Sequence, residues 1–369
     1  MSKRLVMCCD GTWNTADQKC PTNVTKLALA LADKSADGTE QLVFYHPGVG
    51  TGAWDHISGG AFGVGLSQNV QDTYRFLVEN FEPGDEIFLF GFSRGAFTAR
   101  STAGFIRNSG ILRRRFEDRI PRAYELYRDR TTHPRGIEAQ LFRRTYSYET
   151  RIRCIGVWDT VGALGVPLTG VPLVDAFNKR WQFHDTTLST TVDNAFHALA
   201  IDEKRRPFEP TLWQQQPDAG DQRLEQMWFT GVHSDVGGGY PEGGLADIAL
   251  LWMVNRVQSC GLVFRPGAFP AEVPEGTHQD VLPVRPDPMG RLHESRTGLY
   301  VLQSPLHRPI GAKDPEHERV ASTAKERYDD DPGYRPEKLT AYLGGRPEVA
   351  PIPVPRAAAE ADTQAGSPA

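Results

Sequence analysis

The sequence predicts an α/β fold in which a mainly parallel central sheet is covered by helices on both faces. Short apolar runs typical of buried strands alternate along the chain with segments of helical periodicity. The connections between these runs are long enough for crossovers, which favours parallel pairing. The 369 residues, 39% apolar and 24% charged, suit a globular protein with a substantial core.

Turn residues or a single polar residue end each predicted strand. The strands are predicted at 4–9, 41–45, 86–90, 151–158 and 226–232. The predicted helices have apolar residues at helical spacing, or the small-residue composition of a helix packed on a sheet. They are predicted at 23–33, 69–81, 96–105, 123–130, 192–199 and 247–259.

These elements are assigned to one domain over residues 1–345. Within it, 107–150 is an arginine-rich segment and a candidate lid insertion, since thirteen arginines and only six acidic residues stand between Arg107 and Arg153. The alternative is a solvated helix face with local ion pairs. Residues 263–315 are rich in proline and are predicted to form an irregular cover. The composition of 346–369 cannot support a core, which predicts a disordered tail.

The stretch 85–100, DEIFLFGFSRGAFTAR, has the layout strand, G-x-S-x-G, helix. In a nucleophile elbow this layout lifts a serine hydroxyl above the sheet and leaves the next N–H for an oxyanion. Gly91 and Gly95 suit the turn because a side chain at either place would collide with the neighbouring strand or helix. A chain with 36 glycines can also produce the motif by chance, as an ordinary glycine-rich turn, so the context must decide.

Four polar residues directly follow apolar strand-like runs, where functional groups gather in an open α/β sheet. They are Asp10, Ser93, Asp159 and His233. From the serine onward, the order Ser, Asp, His is that of an α/β-hydrolase triad. We expect Ser93 to attack a carbonyl, His233 to accept and return its proton, and Asp159 to fix the imidazole tautomer.

Backbone N–H groups are the expected oxyanion donors. One comes from Arg94, directly after the serine, and the other from Gly11 or Thr12 in the turn after the first strand. Asp10 is expected either to brace this turn or to cap a helix.

Alternatives stay open for the base and for the acid. His317 competes with His233, because triad histidines often come late in a chain. Asp159 could instead cap a turn, and Asp235 is an alternative acid or orders its own loop. A metal site built from Asp10, His233 and Asp235 has no firm ligand spacing, so no metal or cofactor is predicted.

The overall composition excludes some partners and locations. The formal net charge of −5 implies no general attraction to nucleic acid, and the arginine-rich segment contains no nucleic-acid-reading motif. The five cysteines form no C-x-x-C pair, so reduced thiols are expected. The N-terminal apolar segment is too short for a signal peptide, and no run approaches 18 apolar residues. The prediction is a cytoplasmic protein, with export by a route without a cleavable signal left open.

Six ordered runs of the sequence resemble those of one family. They are CCDGTWN (8–14), YHPGVGT (45–51), GDEIFLFGFSRGAFTAR (84–100), VWDTVGALG (157–165), HALAIDEKRRPFEPTLW (197–213) and WFTGVHSDVGGGY (228–240). The family is the α/β-hydrolase family called domain of unknown function 2235, which includes phospholipase effectors of bacterial type VI secretion. The resemblance covers roughly residues 3–330. It implies a serine hydrolase acting on esters, with the family's nucleophile, acid and histidine on Ser93, Asp159 and His233.

The leading functional hypothesis is therefore a carboxylic ester hydrolase, a lipase or phospholipase that works through an acyl-enzyme. Its partners would be an ester or phospholipid substrate and a peripheral membrane surface, since guanidinium groups such as those of 107–150 suit phosphate binding. An amidase or peptidase uses the same triad and is one alternative. A lipid- or partner-binding module without catalysis is another, although such a module has no need of all three triad residues.

Overall fold

The computed structural model of the protein describes residues 2–11, 14–15, 17–48, 59–129, 131–161, 187–273 and 281–352. Its strands are β1 Arg4–Cys9, β2 Gln41–His46, β3 Glu86–Phe92, β4 Ile111–Leu112, β5 Ser147–Tyr148, β6 Ile152–Trp158, β7 Val192–Ala200, β8 Arg223–Phe229, β9 Glu318–Ala321 and β10 Val349–Ala350. Strands β4 and β5 form a small antiparallel pair. The other eight form one sheet in which every neighbouring pair is parallel.

The strand order across this sheet is β10-β9-β8-β7-β6-β3-β1-β2. The chain passes from β1 to β2 on one side and then returns to place β3 on the other side of β1. The order therefore reverses between β1 and β3. In open parallel sheets, ligands bind beyond the carboxyl ends of the strands at such a point. Asp10 follows β1 and Ser93 follows β3, so both stand at the carboxyl ends of the two strands between which the order reverses.

Helices cover both faces of the sheet. They are α1 Asn23–Ala30, α2 Gly59–Asn80, α3 Arg94–Ser109, α4 Ile120–Arg128, α5 Ile137–Tyr146, α6 His233–Gly237, α7 Gly244–Ser259, α8 Ser322–Asp330 and α9 Glu337–Leu343. Alternate side chains of a strand point to opposite faces, so Val6 and Cys8 pack with α1 and α7, whereas Leu5 and Met7 pack with α2 and α3. Because both faces are buried, the strands are nearly continuous apolar runs.

The predicted α/β fold is confirmed, but one element was assigned wrongly. Residues 192–199 were predicted to be helical, whereas Val192–Ala200 is strand β7, hydrogen-bonded between β6 and β8. A strand that is buried on both faces loses its alternation of apolar and polar residues, and its apolar positions then imitate helical spacing. Strands β9 and β10, of four and two residues, were not predicted.

The domain extends beyond the boundary predicted at residue 345. Strand β10 pairs in parallel with β9, and the side chain of Ile352 is buried. The predicted tail from 346 therefore begins too early, and its remainder, 353–369, lies outside the described residues. Within the part of the chain that the structure describes, no helix has both the length and the apolarity needed to cross a membrane.

The arginine-rich segment 107–150 is rooted at the C-terminal end of α3. Ser147 Oγ donates to Ser109 O at 2.6 Å, and Arg143 Nη1 donates to Asn108 O at 2.9 Å. Ser93 precedes the opposite end of this 16-residue helix, about 24 Å away. The root of the segment is therefore remote from the serine that a lid would cover.

One exposed arginine of this segment, Arg122, makes local ion pairs. Arg122 lies 3.3 Å from Glu125 and 3.2 Å from Glu138, and all three side chains are more than half exposed. Exposed pairs of this kind contribute little to stability because water screens them. The contacts are those of a solvated helical surface, the alternative to a lid.

Candidate active site

Ser93 occupies a strained turn between β3 and α3. Its φ of 56° and ψ of −118° lie in a region that residues with a Cβ rarely adopt. The Ser93 N–H donates to Trp158 O at 3.0 Å, which ties the turn to the neighbouring strand β6. The Ser93 side chain does not cap α3, so its hydroxyl is not used by its own helix.

Two glycines allow the close packing of this turn. A Cβ on Gly95 would lie 2.0 Å from Cys9 O, and a Cβ on Gly91 would lie 2.3 Å from Gly95 O. Both distances are far below van der Waals contact, and in both cases the obstacle is backbone, which cannot rotate away. The collision expected from the sequence is therefore present at both positions.

Replacing Gly95 by alanine is expected to lower the free energy of unfolding by about 1–3 kcal/mol, because α3 must move away from β1 to admit the methyl group. Gly243→Ala is the matched control, since its Cβ would meet its nearest neighbour, Lys26 Nζ, at an ordinary 3.7 Å. Urea unfolding curves measure both changes. Equal midpoints for the two variants would contradict the packing argument.

Asp159 and His233 are joined by a hydrogen bond. Asp159 directly follows β6, the neighbour of β3, and His233 begins α6 after β8. His233 Nδ1 lies 2.5 Å from Asp159 Oδ2, and both side chains are buried. With Nδ1 bonded to the carboxylate, Nε2 is the nitrogen left to accept a proton, as a general base requires.

Arg308 holds the carboxylate of Asp159 from a second direction. Its Nη1 donates to Oδ1 at 2.7 Å and its Nη2 donates to Oδ2 at 3.0 Å, in a fully buried bidentate pair. The backbone N–H of Ala200 also donates to Oδ1, at 3.0 Å. Burial raises the pKa of Asp159, but the charge of Arg308 and the bond from His233 outweigh it and hold that pKa well below its usual range. Asp159 is therefore an anion at neutral pH.

The ring of His233 is held between two aromatic rings. Phe92, which immediately precedes Ser93, lies 4.6 Å from it between centroids, and Phe208 meets it edge-on at 4.9 Å. Burial lowers the pKa of His233, although the bond to Asp159 opposes that change. The net decrease keeps the imidazole neutral at pH 7, which is the state that can accept a proton.

Glu203 links His233 to the cover region. It accepts a hydrogen bond from the His233 N–H at 3.3 Å and from Ser295 Oγ at 2.9 Å. Arg205 neutralises it through two bonds of 2.9 and 2.8 Å. The backbone at the start of α6 is thus fixed by a buried carboxylate whose charge is compensated.

Asp10 braces the turn after β1. Its Oδ2 accepts hydrogen bonds from Thr22 Oγ1 at 2.7 Å, Thr25 Oγ1 at 3.0 Å and the Tyr45 hydroxyl at 2.7 Å. Its Oδ1 accepts from the Gly11 N–H at 2.6 Å. Burial raises the pKa of Asp10, and these bonds oppose the increase. Bracing, one of the two roles expected for this residue, fits these contacts.

The Gly11 N–H is therefore directed at Asp10, and the prediction that it donates to an oxyanion is corrected. Gly11 does lie against the turn of Ser93, because a Cβ placed on it would be 3.4 Å from Ser93 Cβ. Thr12, the other donor predicted in this turn, lies outside the described residues. Arg94 is the first residue of α3, where backbone N–H groups point out of the helix start.

His317 lies at the amino ends of the parallel strands, whereas Ser93 lies at their carboxyl ends. It directly precedes β9, so it stands at the amino end of a parallel strand, whereas His233 follows the carboxyl end of β8. Its Nδ1 is 2.9 Å from the carboxylate of Asp314. This geometry does not bring His317 to the serine.

Asp235 orders its own loop and pairs with a different histidine. Its Oδ2 accepts from the Val232 N–H at 3.0 Å, and its Oδ1 lies 2.6 Å from His293 Nδ1. Asp235 is thus no acid for His233. All three ligands of the metal site considered from the sequence, Asp10, His233 and Asp235, are bonded to other groups. Among the described residues, no three His, Cys, Asp or Glu side chains are placed to hold a metal ion.

Comparison with known proteins assigns the chain to a family. Residues 3–256 match the catalytic domain of Tle1-like phospholipase effectors of the type VI secretion system (T6SS). The chain belongs to the Tle1-like family. The matched residues include Ser93, Asp159 and His233, and they end before Ser295 and Arg308.

Individual proteins that resemble this Tle1-like chain share 18–30% of its residues over the aligned regions. The uncharacterized protein YEL023C of Saccharomyces cerevisiae is 30% identical over 239 residues, 58% of this chain and 33% of that protein, so the chain spans about a third of its length. An uncharacterized Pseudomonas aeruginosa protein of known structure gives a TM-score of 0.45 at 18% identity, covering 72% of this chain and 47% of that one. The structure of the Tle1 effector bound to the VgrG spike of the type VI secretion system gives a TM-score of 0.34 at 18% identity. The match covers 66% of this chain and 52% of that one.

Glu203 and Arg308 were not predicted from the sequence. The signal for Glu203 was present, since it follows the apolar end of β7, but the wrong helix prediction over 192–199 hid that strand end. Arg308 had no local signal. It lies in the proline-rich segment 263–315, beyond the region matched to the Tle1-like family, and its contact with Asp159 spans 149 residues of sequence.

Proposed function

We propose that this protein is a serine hydrolase that cleaves carboxylic esters, with the acyl esters of phospholipids as its substrate class. The observation that carries the proposal is the 2.5 Å bond between His233 and Asp159, next to the strained Ser93 at the reversal of strand order. A protein that only bound lipid would have no use for a serine held in this conformation. Membership in a family of phospholipase catalytic domains supports the choice of lipid.

The reaction would proceed through an acyl-enzyme. Ser93 Oγ attacks the ester carbonyl while His233 Nε2 takes the hydroxyl proton, and anionic Asp159 stabilises the imidazolium that forms. The backbone N–H of Arg94 donates to the oxyanion of the tetrahedral intermediate. The C–O bond then breaks, and His233 returns the proton to the departing alcohol. Water repeats these steps on the acyl-enzyme and releases the carboxylic acid and the free serine.

The direct test is covalent labelling with a fluorophosphonate probe. The wild-type protein is expected to be labelled once per chain, and Ser93→Ala is expected to abolish labelling and ester turnover, because the probe traps the activated serine hydroxyl. Ser259→Ala, at the exposed end of α7, is the matched control and should be labelled like the wild type. An unlabelled wild type would contradict the proposal. A panel of phospholipid, short-chain ester and amide substrates then separates an esterase from an amidase.

A further inference from the structure

The 3₁₀ helix Gly298–Leu302 exposes a cluster of apolar side chains. Leu299 is 67% exposed, Val301 is 53% exposed and Leu302 is 83% exposed. Single exposed apolar residues are common on soluble proteins, but three such residues within four positions form a patch that indicates an interaction surface.

This patch stands at the proposed site. The ring of Tyr300, between the exposed residues, lies edge-on to Phe208 at 6.3 Å, and Phe208 contacts the ring of His233. Burial lowers the pKa of Arg94, the residue after the nucleophile, to about 10, and nearby Tyr300 opposes that change. Through the rings of Tyr300 and Phe208, the inner side of this short helix therefore faces His233, and its outer side exposes leucines.

Hydrogen bonds hold the helix in this position. Ser295 Oγ donates to Glu203, which also accepts from the His233 N–H. Arg296 Nη2 donates to Val301 O at 2.8 Å, and Arg206 Nε donates to Ser304 O at 3.1 Å. These bonds fix the backbone before and after the patch, so the apolar surface exists before any partner arrives.

The charges beside the patch are mostly cationic. Arg206 is exposed and Arg296 is half-buried, and the facing acid is Glu294, which accepts from the Arg296 N–H. Arg205 faces Tyr300 with its guanidinium 5.4 Å from the ring, but Glu203 compensates its charge. Apolar side chains beside guanidinium groups match a phospholipid surface, because acyl chains and phosphates are adjacent there.

We propose that the 3₁₀ helix Gly298–Leu302 is the surface through which the protein docks on a phospholipid bilayer, with Leu299, Val301 and Leu302 inserted among acyl chains and Arg206 at the phosphates. The proposal rests on the proposed function, since a bilayer is the form in which that substrate is presented. Docking here would bring the membrane to the mouth of the site that contains Ser93.

A second exposed apolar surface provides the comparison. On α5, within the arginine-rich segment, Ile137 is 78% exposed and Leu141 is 58% exposed. Their chemistry resembles that of the patch, but their segment is rooted at the far end of α3. Docking through α5 would leave the elbow without a membrane surface next to it, so the 3₁₀ helix is the better candidate.

The test measures partition onto vesicles of phosphatidylcholine, with and without phosphatidylglycerol, by co-sedimentation. Ser93→Ala serves as the background, so that the vesicles stay intact. Adding Leu302→Ser is expected to weaken partition roughly tenfold, because it removes one inserted leucine, whereas adding Ile137→Ser leaves partition unchanged. In the active protein, Leu302→Ser should lower the ratio of vesicle to soluble short-chain ester turnover by the same factor. As the control for folding, each variant should unfold at the same temperature as the wild type.

Other results would overturn the proposal. If Ile137→Ser weakens partition and Leu302→Ser does not, the docking surface is α5. Equal partition of all variants, or no vesicle binding by a protein that hydrolyses the soluble ester, would show that the patch does not dock on a bilayer, while ester hydrolysis stands. Absence of all turnover together with Leu302-dependent partition would instead reject the proposed function and leave the docking surface supported.

Discussion

Replacing His233 by alanine is expected to lower kcat on a short-chain ester by about 10⁴-fold or more, whereas His317→Ala should leave kcat within about twofold. The reason is positional. His233 Nδ1 is bonded to Asp159 and its ring packs on Phe92 beside Ser93, whereas His317 stands at the amino ends of the strands, paired with Asp314. The measurement is the steady-state kinetics of both variants. As the control for folding, the circular dichroism spectrum of each variant should match that of the wild type.

The pH profile provides a second readout of the same base. Burial lowers the pKa of His233, so its neutral, proton-accepting form persists below the ordinary histidine value of about 6.5. For the wild type, kcat/KM should therefore stay high at pH 6.5 and fall only as the pH drops through that lowered pKa. Loss of activity in His317→Ala, with His233→Ala still active, would show that the base is misassigned.

The sequence predicts those parts of the site that depend on local pattern. Ser93, Asp159 and His233 each follow an apolar run, and the carboxyl ends of parallel strands meet at one edge of a sheet, so their proximity could be inferred without coordinates. The direction of the Gly11 N–H could not, because it depends on the dihedral angles of one turn and on the carboxylate of Asp10.

Parts that depend on distant contacts were missed for a different reason. The segment 263–315 has no periodicity, since its described residues are largely irregular, so nothing in it indicated which arginine faces Asp159. Strand β7 was missed because of its burial. It is so completely buried that its pattern is no longer that of a strand, and the acid that follows it, Glu203, was overlooked with it.

Replacing Arg308 by methionine is expected to lower the free energy of unfolding at pH 7 by about 3–5 kcal/mol, because Asp159 would be left as a buried charge without its bidentate partner. The sign of the pH dependence follows. In the wild type, the pKa of Asp159 is depressed, so its contribution to stability is complete above about pH 4 and is lost as the pH falls through the folded-state pKa. In the variant, burial would raise that pKa, so the loss of stability should grow between pH 4 and pH 7.

The same substitution tests whether Arg308 acts on the proposed catalytic pair Asp159 and His233 or only stabilises the fold. Removing a positive charge raises the proton affinity of the coupled Asp159–His233 pair, whichever residue holds the proton. The acid limb of kcat/KM should therefore move to higher pH in Arg308→Met, and Arg308→Lys should restore part of its position. Adding Asp159→Asn to Arg308→Met removes the unpaired charge, so it should recover stability but not activity. A double variant no more stable than Arg308→Met, or an unmoved acid limb, would show that the ion pair does not set the charge state of this site.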